Sequence, residues 1–504
     1  MTNPPLAAAR AVGSPIGVAT RSAARSIAAA PVPILASFLI LALALRAVSF
    51  GNPLVQIDVQ FYALVGDRML SGALPYVDIW DRKPIGLFAL FAGLQALGRV
   101  FGTEGPLPYQ LAASLCAGAT AFVIERIARN FASGRGAWLA GLCYLVWLAV
   151  FNCVGAQTPV FYNLLMALAA LGTLRLSTRF GDRALVSGGV GVMLLVGLAL
   201  QLKYCVVFEG ICFGLMLLAC AHADALTPRT IAAYGATWIA AALAPTLLAL
   251  AAYAVLGQAG AFVDANFMSI FRRHDSDGSV WTDLLTTAAL LFPFGVAICF
   301  AARRPTGRAY RFVADWALAA ILGYLVFGTY YDHYAAPLLV PLCVLAAPAL
   351  GRTGRAAGYT VLLLGTGLVV GGAMTLANLH TRGNAQDLER TAALIRPQLK
   401  RGCLYVYEGD PALYQATHSG LPGKYVFPSH IDSAVESRTI DQPAELRRVL
   451  ARRPTVIVTA DQPLDSQPSL DTRAILRHAL AHDYRRFGEA MVGTRRFLLY
   501  RRNG

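Results

Sequence analysis

Residues 58–88 read DVQFYALVGDRMLSGALPYVDIWDRKPIGLF, an acid-rich stretch set between two apolar runs. It holds Asp58, Asp67, Asp78, Asp81 and Lys83 in a chain otherwise poor in charge. Ionisable groups kept beside a membrane are costly, so their concentration marks a candidate site. The preceding run, 31–50, is long enough to cross a bilayer, which takes roughly 20 apolar residues. The following run, 84–101, is long enough too, and how it is read decides the topology.

Further apolar runs lie near 107–127, 136–154, 159–177, 184–201, 205–222, 231–256, 284–302, 312–330, 335–350 and 357–378. Arginines punctuate their connections: Arg126, Arg129 and Arg135; Arg175, Arg179 and Arg183; Arg229; Arg303, Arg304, Arg308 and Arg311; Arg352 and Arg355. If 84–101 crossed the membrane, these clusters would face outward. Laid along the interface, it leaves them all in the cytoplasm, where positive loops belong. The expected fold is a mainly α, polytopic bundle of about eleven spans. Its N-terminus is expected inside and its C-terminus outside.

Composition agrees. The 504 residues are 56% hydrophobic and 14% charged, against about 25% charged in soluble domains, and mean hydropathy is +0.54. The net charge of +15 follows the loop arginines. No folded basic module is visible, so nucleic acid is not an expected partner. Of nine cysteines only Cys403 lies in polar sequence, and no disulfide or zinc pattern emerges. Residues 1–30, rich in Ala, Ser and Arg and free of acids, read as a basic cytoplasmic tail. Residues 31–378 form the membrane module, with an outer loop at 51–106. Residues 379–504 are polar and alternate short runs (403–407, 455–460, 495–500) with helical patterns such as 444–453, which suggests a small extracytoplasmic α/β domain.

With this topology Asp58–Lys83, the loop near Gln157, Lys203, the 257–283 loop and 330–334 share the outer face. Lysine occurs only at 83, 203, 400 and 424, and Lys203 ends a hydrophobic run where the charge rule disfavours it. It either snorkels to the interface or holds a phosphate. Asp58, just past the first span, is placed to act as a general base at a partly desolvated surface, or is a solvated loop acid. Asp67 reads as structural. Asp78 and Asp81 flank Ile79–Trp80 and are candidates for a sugar hydroxyl or a divalent ion, Asp81 the better one, or for pairing with Arg82 and Lys83. Arg272 and Arg273 break the charge pattern and either hold an anionic group or meet lipid headgroups. Phe262, Phe267 and Phe271 are spaced to share one membrane face. In YYDHY (330–334), Asp332 and His333 either join an aromatic belt or line a cavity. Glu209 is close enough in sequence to pair with Lys203.

The segment LPYVDIWDRKPIGLF (74–88) resembles the first outer loop of the GT-C glycosyltransferases, in particular the bacterial protein mannosyltransferase and lipid A aminoarabinose transferase branches. Asp58 matches the acid after the first span; Asp81, Lys83 and Pro84 match the acid–basic–Pro motif before an interfacial helix. GLALQLKYCVVFEG (197–210), GAFVDANFMSIFRR (260–273), YYDHYAAPLLVPLCVLAAPAL (330–350) and YVYEGDPALYQATHSGLPGKYVFPSHI (405–431) resemble later family segments in order. The resemblance implies transfer of a sugar from a polyprenyl-phosphate donor to a glycan, glycolipid or protein acceptor at the outer face of a bacterial inner membrane, with inversion. Asp58 would be the base, Lys83 and Lys203 would hold the phosphate, Asp81 would bind sugar or a metal, and His333 would line the donor cavity. One departure stands out: where relatives place a second acid, 156–163 reads AQTPVFYN. Gln157 or Asn163 is left to take its place. The alternatives are a transporter or flippase for lipid-linked glycans, or a non-catalytic partner in envelope-glycan assembly.

Overall fold

The computed structural model describes residues 31–178, 182–272, 280–302, 307–328, 330–354, 357–399 and 402–503; the tail 1–30 and Arg273 lie outside them. The chain is 72% helical. Its main helices are α1 (Pro31–Arg46), α2 (Ile57–Leu70), α3 (Ile85–Val100), α4 (Leu107–Ala128), α5 (Gly134–Trp147), α6 (Thr158–Leu176), α7 (Asp182–Leu200), α8 (Val207–Ala223), α9 (Pro228–Val255), α10 (Val280–Ala302), α11 (Arg308–Val326), α12 (Leu339–Leu350), α13 (Ala357–Arg382) and α14 (Ala385–Leu399). Among the described residues nine helices are long and apolar enough to span a membrane, and the chain is a multi-pass membrane protein.

These nine match nine of the eleven expected spans. The other two fall outside this set. The run at 136–154 is regular only over α5, because Asn152 turns left-handed at φ 53° and the chain bends back there. The run at 184–201 forms α7, packed between α6 and α9. The ambiguous run at 84–101 is the 16-residue α3, packed on α2.

Small residues bring the helices together, as expected where lipid removes any hydrophobic drive to associate. Ala113, Ala117 and Ala121 of α4 are fully buried, and a Cβ at Gly118 would come 3.0 Å from the Leu39 and Phe38 backbone of α1. At Gly66 of α2 a Cβ would lie 2.7 Å from the Ala92 backbone nitrogen of α3, so these two helices approach almost to backbone contact.

The C-terminal region carries one four-stranded sheet, order β1-β2-β4-β3, with strands β1 (Leu404–Val406), β2 (Val456–Ala460), β3 (Tyr484–Val492) and β4 (Arg495–Arg502). β1 and β2 are parallel; β4 is antiparallel to β2 and β3. Three strands fall where the short apolar runs are, and α15 (Gln442–Ala451) matches the helical pattern at 444–453. β3, at the edge, has no such run. Only its end residues, Tyr484 and Val492, are buried, so the residues between need not be apolar.

Candidate active site

The site is assembled at one end of the bundle from segments distant in sequence. Asp58 sits in the first turn of α2, where the helix dipole favours a carboxylate. Lys83 leaves the loop before α3. Its Nζ lies 3.6 Å from Asp58 Oδ1 and 3.4 Å from Asp81 Oδ2, with the Tyr62 ring 5.1 Å away. Gln157, immediately before α6, donates through Nε2 to Asp58 Oδ2 at 3.4 Å. Of the two polar candidates in 156–163, it is Gln157 that reaches Asp58. Asn163 instead donates to the Tyr144 hydroxyl at 3.2 Å.

Burial opposes the charge on Asp58, but Lys83, then His333, the Gln157 hydrogen bond and Lys203, hold its pKa below the usual carboxylate range. Asp81 is 3% exposed. Burial opposes its charge too, and Lys83, His430 and Arg82 hold it low. Burial likewise disfavours the Lys83 ammonium, yet Asp81, Tyr62 and Asp58 raise its pKa well above the ordinary lysine value. At neutral pH the centre is a fixed carboxylate–ammonium–carboxylate triad.

Lys203 follows α7 in extended conformation, with its Nζ 3.8 Å above the Tyr334 ring, a cation–π contact. Among the described residues no carboxylate lies within ion-pair distance of it. Its charge is thus available to an anion. Gly86 explains how this turn approaches the loop: a Cβ there would come 2.8 Å from the Gln201 carbonyl. His333 packs edge-on to Tyr334 with ring centroids 4.6 Å apart.

The loop carrying Asp81 and Lys83 is held by a residue the sequence did not single out. Tyr76 adopts φ 70°, a left-handed conformation that costs an L-residue on the order of 1 kcal/mol. Its ring is 2% exposed, packed with Phe88, Tyr253 and Phe262. Its hydroxyl donates to the Lys83 carbonyl at 2.8 Å. Asn266 Oδ1 accepts from the Tyr204 hydroxyl at 2.8 Å and lies 3.3 Å from that of Tyr76, which links the Lys83 loop to the neighbour of Lys203. Arg46 was missed as well. Its guanidinium donates to the carbonyls of Cys153, at 2.6 Å, and Gly155, fixing the turn before Gln157. An arginine at the C-terminal end of the first apolar helix was the available signal.

Other sequence candidates lie apart from the triad. Asp78 is exposed, and its Oδ2 accepts from the Leu74 backbone N–H at 2.7 Å, closing a local turn. Arg272 pairs with Asp264 at 2.7 Å, both partly exposed. Asp67 pairs with Arg99 at 2.5 Å across α2 and α3. Phe262 is buried while Phe271 is 83% exposed, so the three phenylalanines do not share one face; the segment breaks into α, π and 3-10 turns. Glu209 does not pair with Lys203, because its carboxylate accepts the Trp316 indole N–H of α11.

A divalent metal calls for several donors converging on one point. Among the described residues no group of three or more His, Cys, Asp or Glu side chains is arranged to hold one. Asp81 spends Oδ1 on the backbone N–H groups of Arg82 and Lys83, at 2.5 and 3.1 Å, and Oδ2 on Lys83 Nζ. Both oxygens of Asp81 are thus already engaged within the protein.

No protein-family model and no curated protein sequence matches the chain. Solved structures do. ArnT from Cupriavidus metallidurans bound to undecaprenyl phosphate superposes with a TM-score of 0.60 at 16% identity, covering 92% of this chain and 97% of that one. The apo state of ArnT gives the same values. The oligosaccharyltransferase of Archaeoglobus fulgidus, in complex with Zn and sulfate, aligns at 0.50 and 11% identity over 85% of this chain and 68% of its own. The chain has the GT-C fold.

Proposed function

We propose that this chain is a membrane glycosyltransferase that moves a sugar from a polyprenyl-phosphate donor to an acceptor hydroxyl at the outer face of the membrane. The observation that carries this reading is one geometric arrangement. Asp58 and Lys83 lie within 3.6 Å of each other, beside a second ammonium, Lys203, that has no acid partner among the described residues. The related fold of ArnT was solved holding undecaprenyl phosphate, a ligand with the anionic head and long apolar tail that such a site suits.

In the proposed reaction Asp58 takes the proton of the acceptor hydroxyl. The freed oxygen attacks the anomeric carbon, and the bond from that carbon to the phosphate oxygen breaks. The bonding pair stays on the phosphate, which leaves as polyprenyl phosphate; attack opposite the leaving group inverts the anomeric centre. The phosphate gains negative charge as the bond breaks, and Lys83 and Lys203 are placed to stabilise it. The triad adds a coupling. A phosphate that draws the Lys83 ammonium toward itself removes the main positive neighbour of Asp58 and raises its basicity, so the base is strengthened when the donor is seated. Gln157 orients the carboxylate from its other oxygen.

The test is transfer from a polyprenyl-phosphate donor by the detergent-solubilised full chain. Asp58→Asn preserves shape and removes the base, and we expect a loss of ~10²–10⁴-fold. Activity near wild type in that variant would remove Asp58 from the mechanism.

A further inference from the structure

The C-terminal sheet region reaches the candidate site at both of its halves. On the Lys83 side, Arg82 forks onto Glu436: Nη1 donates to Oε1 at 2.6 Å and Nη2 to Oε2 at 2.5 Å. The pair is largely buried, with side chains 16% and 7% exposed. The Trp80 backbone N–H donates to the Lys424 carbonyl at 2.9 Å. His430 wedges between, its ring 5.0 Å from Trp80 and 6.0 Å from Phe61 of α2. Arg82 stands between Asp81 and Lys83, so the fork fixes the backbone that aims both.

On the Asp58 side, Gln60 lies two residues along α2. Its Nε2 donates to Asp410 Oδ1 at 3.0 Å, and its Oε1 accepts from the Ala412 backbone N–H at 3.2 Å. Asp410 in turn is held by Arg495 of β4 at 2.7 and 3.1 Å. One bidentate Arg–carboxylate fork therefore ties this region to the loop bearing Lys83, and a second, within the region, holds Asp410 in place for Gln60 of the helix bearing Asp58. Such forks impose geometry as well as attraction.

We propose that the C-terminal α/β region is a clamp that sets the Asp58–Lys83 separation, with Glu436 acting as a positioning residue through Arg82. This rests on the transferase reading above. A pair misplaced by about 1 Å loses on the order of 100-fold in rate, so a contact remote from substrate has a kinetic signature. Loosening the fork lowers kcat and leaves the KM for acceptor nearly unchanged.

The experiment uses the full chain in detergent, with hydrogen exchange, kinetics and binding of undecaprenyl phosphate as separate readouts. Glu436→Gln is expected to raise amide exchange over 78–84 and lower kcat roughly 100-fold. The reversed pair, Arg82→Glu with Glu436→Arg, is expected to recover most of both. Wild-type exchange and kcat in Glu436→Gln overturn the clamp, as does a reversed pair that folds yet stays slow. Should Glu436→Gln fail to fold, the wild-type chain decides: 78–84 and 428–436 must share one level of protection, and a loop exchanging far faster than 428–436 overturns the proposal. Lys83→Met separates the two readings. If it leaves undecaprenyl phosphate binding unchanged, the transferase site falls while the exchange result still judges the clamp.

Discussion

Asp58 illustrates how a residue's environment sets its chemistry. Its carboxyl is held below the usual range, chiefly by Lys83 acting against burial. A depressed carboxylate contributes stability that is present above its unfolded value and lost as pH falls through the folded one. The same shift governs activity: kcat/KM reports the free enzyme. Its acidic limb should therefore fall below the ordinary carboxylate range, and Lys83→Gln should move that limb upward. A limb unmoved by Lys83→Gln would contradict the coupling. His430 gives the same sign from a different cause. Burial, only partly countered by Asp81 and Glu436, lowers its pKa from 6.5 to about 4. Between those values the unfolded chain binds the extra proton, so stability falls as pH drops from about 6.5 toward about 4. The full shift amounts to about 3 kcal/mol. Melting curves of wild type and His430→Gln at pH 7 and pH 5 should show this pH-dependent loss in the wild type only. Asp58, Asp81, Lys83 and Lys203 were legible as an anomaly of charge in an apolar chain. His430 and Glu436 were not, because nothing in their local sequence tells which loop they face.

At the scale of elements, the decisive contacts are made by glycines and turns. Gly86, in the first turn of α3, rests on Gln201 and so brings the Lys203 turn to the Lys83 loop. Adding one methyl at a contact this tight costs about 1–3 kcal/mol in strain. Gly86→Ala should therefore weaken undecaprenyl phosphate binding several-fold with the chain still folded, which lipid titration and thermal melting together would check. An unchanged affinity would mean that the two lysines do not act as one phosphate site. Helical runs of 19 or more apolar residues were readable from length and composition. The end of α5 was not: Asn152 turns left-handed beyond it, in a turn that Arg46 of α1 pins by its hydrogen bonds to the carbonyls of Cys153 and Gly155. β3 escaped as well. An edge strand with water on one side need not show an apolar run, and Arg485 and Arg486 stand exposed there.

For the molecule as a whole, the arrangement implies a sidedness that can be measured. The loop arginines predict a cytoplasmic N-terminus and an outward C-terminal sheet. A C-terminal alkaline phosphatase fusion should be active and a C-terminal green fluorescent protein fusion dark in a bacterial host. The reverse result would place the triad on the cytoplasmic side and end the outer-face reading. By itself the amino-acid sequence determined a membrane-embedded, mainly helical chain and three of its four strands, and marked the acid–basic–Pro segment as the candidate chemical centre. Hydrophobic length and charge are local properties that a bilayer sorts directly, so they can be read without coordinates. Only the tertiary structure decided which charges meet. It joined Asp58 to Lys83 and Gln157, sent Glu209 to Trp316 and Arg272 to Asp264, and set the C-terminal sheet on both halves of the pair. Those choices depend on distances of a few ångströms between segments up to several hundred residues apart, and side-chain pairing at that range is settled by packing, not by sequence neighbourhood.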